Sequence, residues 1–338
     1  MAVSPEPEGQ VTRASFPPEA GSSKRKGRYG TQNLWVTAAQ VLAWAAVLTA
    51  LDRALDPALG VAGGAPWVRG LAAAALALTL AAVLQGVFSM MHEYFHDNAH
   101  PDRRVGYLIG LVGSTIFGTS ATLHRVNHWG HHVRNRTPAE QGEFIHEGES
   151  APGKIALYYF AVSCGLWLSG LVFPLAALLV PYRAVTWLSR HRRLNTYSAA
   201  FDQFDAAAWR RMRLEALGLL GFWGLVLTAG PWRVETLAVA YGTFAFTWSS
   251  LQWVYHLRTP LHVVEGAYNL RLPTPLRWAF LNFNYNLTHH RRPYLPWQEL
   301  PAATELRETQ PLWYRWVRMV RPPVRFPGDL AELEKRYF

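Results

Sequence analysis

The chain has 338 residues, half of them apolar, and only 17% carry a charge, well below the quarter that is usual for a soluble domain. The net charge of +10 comes mainly from arginines between long apolar blocks, which is typical of cytoplasmic loops in a membrane protein and argues against nucleic-acid binding. Cys164 is the single cysteine, which excludes an intrachain disulfide and a zinc site built on thiolates.

The chain begins with a polar segment, residues 1–33, which we predict to be a disordered basic tail because it lacks apolar periodicity. The first apolar block, Leu34–Leu51, is free of charge and just long enough to cross a bilayer. Basic residues immediately before it are expected to hold the N-terminus in the cytoplasm. A second uncharged block, Gly70–Met91, returns the chain to the cytoplasm and ends directly at His92.

Three further apolar blocks follow, at Ile155–Tyr182, Ala216–Ala229 and Thr236–Tyr255. Three crossings would place any late histidines on the opposite membrane face from His92. The arginine-rich segment 183–213 is expected in the cytoplasm. We therefore predict that the first of these blocks dips into the membrane and returns, with a bend near Gly170 or Pro174.

Together these blocks predict an all-α integral membrane protein with four transmembrane helices in two hairpins, plus one membrane-embedded re-entrant hairpin. A cytoplasmic cap would carry a histidine-rich site for two metal ions. The membrane domain is predicted to cover residues 34–300 and to be followed by a cytoplasmic C-terminal segment, residues 301–338. Both termini are expected in the cytoplasm.

Nine of the thirteen histidines lie in or directly beside three short clusters. The first cluster is residues 92–96 (HEYFH), the second is residues 124–132 (HRVNHWGHH) and the third is residues 286–290 (NLTHH). On a helix, His92 and His96 would share a face and could bind one metal ion. A separate histidine, His256, follows the last apolar block.

Each cluster also has an ordinary explanation. An isolated HExxH is common by chance, and a histidine-rich loop beside a membrane can be solvated or can bind acidic lipid when protonated. Under the predicted topology, however, all three clusters and His256 emerge on one membrane face. Independent coincidences would not favour one side, so we interpret the set as a metal site. We interpret His146, His191 and His262 as ordinary polar or interfacial residues.

The number and type of ligands restrict the metal. Eight or more imidazoles exceed what one ion accepts, which predicts two ions. Magnesium and calcium prefer oxygen ligands, and structural zinc commonly uses thiolates, which are absent here. Imidazole suits iron, copper and zinc. A site at the ends of membrane helices would best serve the oxidation of a hydrocarbon with O2, which favours iron, with copper as the alternative.

The HExxH at His92, the HxxHH beginning at His128 and the His-His pair after Asn286 resemble the three histidine boxes of membrane-bound fatty acid desaturases. Hydroxylases, carotenoid ketolases and related non-haem di-iron oxidases share this pattern. The resemblance covers roughly residues 34–300, and the stretch 259–297 looks particularly like bacterial members. It implies metal ligands at box positions, together with an additional ligand between the second and third boxes: His92, His96, His128, His131, His132, His256, His289 and His290.

Asn286 departs from the family pattern, which usually has histidine at this position. An amide oxygen binds iron weakly or through a water, which predicts one open or less tightly held ion. Gln252, one turn before His256, could reach the same position. The resemblance leaves His100 and His124 as lesser candidates. The acidic residues of the first cluster, Glu93 and Asp97, could orient the metal-binding imidazoles through their free ring nitrogens.

The resemblance implies an O2-dependent oxidoreductase of fatty acid metabolism that uses two iron ions and introduces a double bond into an acyl chain. A hydroxylase or ketolase acting on a lipid, carotenoid or other apolar substrate is the alternative. Electrons are expected from an external acidic carrier such as a ferredoxin, because the sequence shows no cytochrome b5-like domain, flavin motif or cysteine cluster. We expect a multi-pass protein of the bacterial inner membrane, with a cytoplasmic active site and no nucleic-acid partner.

Two functions of other classes remain as rivals. An intramembrane zinc protease would use His92 and His96 as ligands and Glu93 as the base, but it leaves the second and third clusters unexplained. A metal transporter or sensor would need polar or ionisable residues within its crossings, and the apolar blocks hold almost none.

Overall fold

The computed structural model describes residues 22–56, 65–190 and 204–326. These residues fold mainly into α-helices. In chain order the helices are α1 (Ser22–Leu55), α2 (Pro66–Phe95), α3 (Arg103–Phe117), α4 (Ala121–Arg134), α5 (Ala151–Phe160), α6 (Leu166–Ala176), α7 (Tyr182–Arg190), α8 (Ala206–Ala229), α9 (Val234–Val254), α10 (Thr274–Ala279), α11 (Asn286–Arg291), α12 (Leu300–Ala303) and α13 (Leu312–Met319). The short strands are β1 (Phe144–Ile145), β2 (Asn269–Arg271), β3 (Thr309–Pro311) and β4 (Val324–Arg325).

Within the described residues, four helices are long and apolar enough to cross a membrane, namely Gly27–Leu55, Pro66–Phe95, Ala151–Ala176 and Ala206–Ala229. The predicted class, a helical multi-pass membrane protein, is confirmed. The set of helices differs from the prediction at one place, because Ala151–Ala176 is included and α9 is not. With 21 residues, α9 is long enough, but its second half carries Thr, Ser and Gln side chains that make it less apolar.

Polar contacts hold both ends of α1. Near the C-terminus of α1, Asp52 Oδ1 accepts hydrogen bonds from Arg233 N at 3.0 Å and Thr236 Oγ1 at 2.6 Å. At the other end of α1, Asn33 Nδ2 donates to Ala99 O at 3.0 Å, and Trp297 Nε1 donates to Asn33 Oδ1 at 3.1 Å. The N-terminus of α1 therefore lies at the end of the molecule that holds the first histidine cluster.

The apolar stretch that begins at Ile155 does not fold as the predicted hairpin. It forms one helical run of 26 residues, Ala151–Ala176, in which a π-helical turn, Ala161–Gly165, joins α5 to α6. Pro174 cannot donate to the carbonyl of Gly170, four residues earlier. That carbonyl accepts a hydrogen bond from Thr119 Oγ1 at 2.5 Å instead, so the helix continues past the proline to Ala176.

A sharp bend occurs between α3 and α4, whose axes meet at 98°. Gly118 ends α3 with φ of 90°, a left-handed conformation that is costly for a residue with a Cβ atom. Ser120 then caps α4 by accepting a hydrogen bond from Leu123 N. This bend, a broken span or a re-entrant loop, lies directly before the second histidine cluster.

Residues beyond the predicted domain boundaries pack into the same body. The predicted tail is helical from Ser22, and residues 1–21 lie outside the described residues. After residue 300, β3 pairs in parallel with β2, and β4 pairs in parallel with β1. The chain up to residue 326 is thus joined to the segments that carry the histidines, while residues 327–338 lie outside the described part.

Candidate metal centre

The structure gathers five histidines from three helical segments into one group. They come from the end of α2 and its C-cap, from one face of α4, and from α11: His92, His96, His128, His132 and His289. Each offers a ring nitrogen, and these nitrogens all lie within 4.8 Å of one another. The helical spacing of four residues places the members of each pair on one face.

Three close contacts define the centre of this five-histidine group. His132 Nε2 lies 3.0 Å from His128 Nε2 and 3.0 Å from His289 Nε2. His96 Nε2 lies 2.7 Å from His128 Nε2. Nitrogens that approach so closely cannot all carry protons, so several lone pairs point at the same space. Such convergence of neutral imidazoles is the arrangement that a transition-metal ion requires.

A second group contains three histidines, His131, His256 and His290, again with ligand nitrogens within 4.8 Å of one another. His256 Nδ1 lies 3.0 Å from the carbonyl oxygen of Gly266, to which it must donate. His131 Nδ1 lies 2.5 Å from Glu140 Oε2. These two acceptors fix the protons on Nδ1 and leave both Nε2 atoms with free lone pairs.

Burial disfavours the charged form of several imidazoles in the two groups. It lowers the pKa of His96, His256, His289 and His290 well below the ordinary histidine value, and neighbouring imidazoles lower these pKa values further. His290 is buried with no hydrogen-bond partner for either ring nitrogen, and His92 Nε2 is equally unpartnered. Buried polar atoms left without partners are costly, and bound metal ions would satisfy them. The residues present fit such ions.

Residues 69–321, more than half of the chain, match the family model described as fatty acid desaturase. The chain belongs to the fatty acid desaturase family. No curated protein matches it. The residues that match the family model include all three histidine clusters and His256. The convergence of these residues in space and the family assignment therefore support the same centre.

All eight residues predicted as metal ligands in this member of the desaturase family lie in the two groups. The lesser candidates do not. His100 Nδ1 accepts a hydrogen bond from Asp102 N at 3.0 Å. His124 stacks on Phe95 with ring centroids 6.1 Å apart, among aromatic side chains on the membrane side of the groups. Of the histidines interpreted as ordinary, His262 accepts backbone hydrogen bonds, and His191 lies outside the described residues.

Two amides lie one helical turn from histidines of the centre. Asn286 begins α11, where His289 and His290 follow on the same face, and its side chain is buried with no hydrogen-bond partner for Oδ1. Gln252 lies one turn before His256, and its buried Nε2 likewise has no partner. The Asn286 oxygen is therefore free to act as a ligand, whereas the unpartnered atom of Gln252 is a donor nitrogen that does not bind a metal ion.

The acidic residues of the first cluster make other contacts. Asp97 accepts hydrogen bonds from Arg125 Nη2 on both carboxylate oxygens at 2.9 Å, and Glu93 Oε2 accepts one from Trp297 N at 3.4 Å. A carboxylate that orients a histidine is Glu140, which the sequence did not single out. Glu140 lies nine residues after His131, on a 3-10 turn, Pro138–Glu140, and no helical spacing indicates this pair.

Aromatic side chains cover the membrane side of the centre. The ring of Phe283 lies 4.9 Å from that of His92. Phe88 contacts Phe283 at 5.4 Å and Trp248 at 5.1 Å. Close-packed apolar walls of this kind exclude water and suit a hydrocarbon.

A polar cavity lies on the other side of the first cluster. Its volume is about 720 Å³, a size suited to a small ligand. Tyr94, Tyr107 and three arginines, Arg103, Arg125 and Arg211, are among its lining residues. Arg211 also lies over the ring of Tyr107 at 5.7 Å. The excess of positive charge suits an anionic or polar group and not an acyl chain.

Proposed function

We propose that this desaturase-family protein is an O2-dependent di-iron oxidase that introduces a double bond into the acyl chain of a lipid. The observation that carries the proposal is the convergence of eight histidines, from clusters up to about 200 residues apart, into two adjacent groups of ring nitrogens. Imidazole-only sites suit iron, and the family assignment supports an oxidoreductase acting on lipid.

The five-histidine group and the three-histidine group would each hold one ion. Two bound iron ions would supply O2 activation and the removal of hydrogen from an unactivated CH2 group. The protein orients the ligands, since Glu140 and the Gly266 carbonyl fix the ring protons of His131 and His256. Asn286 would leave its ion with a weaker ligand or an open position.

The aromatic wall supports a role in orienting the substrate. Phe88, Trp248 and Phe283 would hold the hydrocarbon against His92 and exclude water from the reacting carbon atoms. Such positioning must be accurate to about an ångström for the chemistry to proceed. The arginine-lined cavity beside the first cluster would suit the polar end of the same lipid.

Orientation and electron supply form part of the proposal. The arginines around α7 and the start of α8, among them Arg183, Arg210 and Arg213, favour a cytoplasmic site and cytoplasmic termini in a bacterial inner membrane. The same positive surface would steer an acidic electron carrier such as a ferredoxin. Turnover by the purified chain should stop when the carrier is withheld, and unchanged turnover would contradict this part.

Mass spectrometry of lipids from a host that expresses the chain tests the reaction. A lipid that loses two hydrogens supports the desaturase, and a lipid that gains one oxygen supports the hydroxylase alternative. His132→Ala, which removes the central imidazole of the five-histidine group, should abolish either product.

Metal analysis of the purified chain tests the centre. Two irons per chain support the proposal. Two coppers per chain would instead identify copper as the metal of the oxidase. One zinc together with unchanged lipids would contradict the oxidase and favour a protease, while variable loading would favour a transporter.

A further inference from the structure

Glu215 is a buried carboxylate inside a candidate membrane span. It lies on α8, and 8% of its surface is exposed. Ionisable side chains within a membrane are costly and rarely occur without a specific partner. Both oxygens of Glu215 accept two hydrogen bonds each. The donors are Tyr107 Oη at 2.9 Å, Thr122 Oγ1 at 2.7 Å, Ser120 Oγ at 2.5 Å and Thr122 N at 2.9 Å.

Three of these four donors belong to the N-terminus of α4. The first N–H groups of a helix lack partners within the helix, and this end carries a partial positive charge. The side chain of the N-cap residue, Ser120, satisfies Leu123 N at 3.0 Å. Glu215 satisfies Thr122 N and places a negative charge at the same end. A residue of α8 therefore completes the cap of α4.

Helix α4, like α11, contributes ligands to both histidine groups. His128 and His132 belong to the five-histidine group, whereas His131 belongs to the three-histidine group. Sliding α4 by one residue would move all three rings by about 1.5 Å and turn them by about 100°. Any displacement of its N-terminus would disturb both groups at once.

We propose that Glu215 is a positioning residue for the metal centre, because it fixes α4 along and around its axis so that its imidazoles meet those of α2 and α11. The inference rests on the proposed metal centre. The carboxylate fits this site because Thr122 N can only donate and the Ser120 hydroxyl is oriented to donate, both to Oε2. Ser120 Oγ already accepts from Leu123 N, so its proton is directed at Glu215. A glutamine can keep contacts to these donors in only one orientation, with its NH2 group turned to the hydroxyls of Tyr107 and Thr122, and it removes the negative charge from the N-terminus of α4.

Asp52 provides a matched control. It too is a carboxylate that caps a helix from another helix, since it accepts hydrogen bonds from Arg233 N and Thr236 Oγ1 at the start of α9. The start of α9 lies some 20 residues before His256, or about 30 Å along a helix. Asp52→Asn should lower stability without disturbing the histidines. Glu215→Gln should lower stability and also displace the histidines of α4.

The experiment is a cobalt(II) titration of the full-length, metal-free protein in detergent, followed by visible absorption. For Glu215→Gln we expect binding about tenfold or more weaker, in line with the loss of a supporting contact around a metal site, and an altered absorption spectrum. For Asp52→Asn we expect the affinity and spectrum of the unsubstituted protein. If Glu215→Gln does not fold, Ser120→Ala, which removes one donor and the N-cap, should show the same change to a smaller extent.

Two results would overturn the inference. One is a Glu215→Gln or Ser120→Ala protein that binds cobalt with unchanged affinity and spectrum. The other is an Asp52→Asn protein that loses cobalt binding to the same degree, since the loss would then follow stability in general. An unsubstituted chain that binds no cobalt would instead contradict the metal centre itself, and the inference with it.

Discussion

Glu140 Oε2 lies 2.5 Å from His131 Nδ1, so a carboxylate from a separate turn sets the orientation of one imidazole in the three-histidine group. Outer carboxylates of this kind fix the tautomer and raise the basicity of a metal-binding histidine. The contact is specific to one of the two groups, because His131 lies with His256 and His290.

Replacing Glu140 should therefore weaken one metal position before the other. We expect Glu140→Ala to lower metal affinity at the three-histidine group by about 10- to 100-fold, and Glu140→Gln, which keeps an acceptor oxygen, to lower it less. The measurement is metal content per purified chain during dialysis against a weak chelator. Glu147→Ala, in the exposed loop after β1, is the control. Equal loss of both ions would contradict the assignment of Glu140 to one position.

His132 is expected to be the most sensitive single ligand. Its Nε2 lies 3.0 Å from both His128 Nε2 and His289 Nε2, so His132→Ala removes the contact shared by the second and third clusters. We expect its metal content and lipid product to fall below detection. His100→Ala, outside both groups, should keep its full metal content. A His132→Ala protein that retains two metal ions would rule out the proposed ligand set.

The histidine centre could be predicted from the sequence because its pattern is local. His92 and His96, like His128 and His132, are spaced by one helical turn, and His289 and His290 are adjacent, so each cluster reveals its own geometry. The prediction that the clusters meet in space rested on the requirement that they all emerge on one membrane face. Composition alone indicated the membrane class.

The supporting contacts could not be predicted because they depend on long-range packing. Glu215 contacts Ser120 and Thr122, more than 90 residues earlier in the chain. The helix continues through Gly170 and Pro174 to Ala176, and Thr119 satisfies the carbonyl that the proline leaves free. The bend at Gly118 depends on a left-handed glycine, and a lone glycine in the sequence does not indicate that conformation.

Arg136 and Glu143, in the segment between α4 and β1, form a buried ion pair. Arg136 Nη2 lies 2.6 Å from Glu143 Oε1, with side-chain exposures of 1% and 2%, and Glu143 Oε1 also accepts a hydrogen bond from Arg258 N at 2.9 Å. Removing one partner leaves an uncompensated buried charge, so we expect Glu143→Gln to cost about 3–5 kcal/mol of unfolding free energy. Thermal unfolding in detergent measures the change. The exposed Glu147→Gln should be neutral.

The same pair predicts a pH dependence. Burial raises the pKa of Glu143, but the charge of Arg136 and its hydrogen bonds outweigh burial and hold the pKa below the ordinary glutamate value of 4.5. A lowered carboxyl pKa contributes stability that is fully present above the unfolded-state value and is lost as the pH falls through the folded-state value. The difference in Tm between the unsubstituted protein and Glu143→Gln should thus shrink below pH 4.5. A difference independent of pH would contradict the ion pair.

Gly86 lies where α2 packs against the end of α10, in the segment before the third cluster. A Cβ atom at this position would overlap the backbone oxygen of Ala279, at the end of α10, and would lie 3.1 Å from Gln40 Nε2. A backbone atom cannot move aside as a side chain can, so we expect Gly86→Ala to destabilise the protein by about 1–3 kcal/mol. Gly218→Ala in α8 would meet open space, and its better helix propensity should stabilise by about 0.5–1 kcal/mol. Opposite shifts in Tm are expected, and a neutral Gly86→Ala would show that α10 does not press against α2.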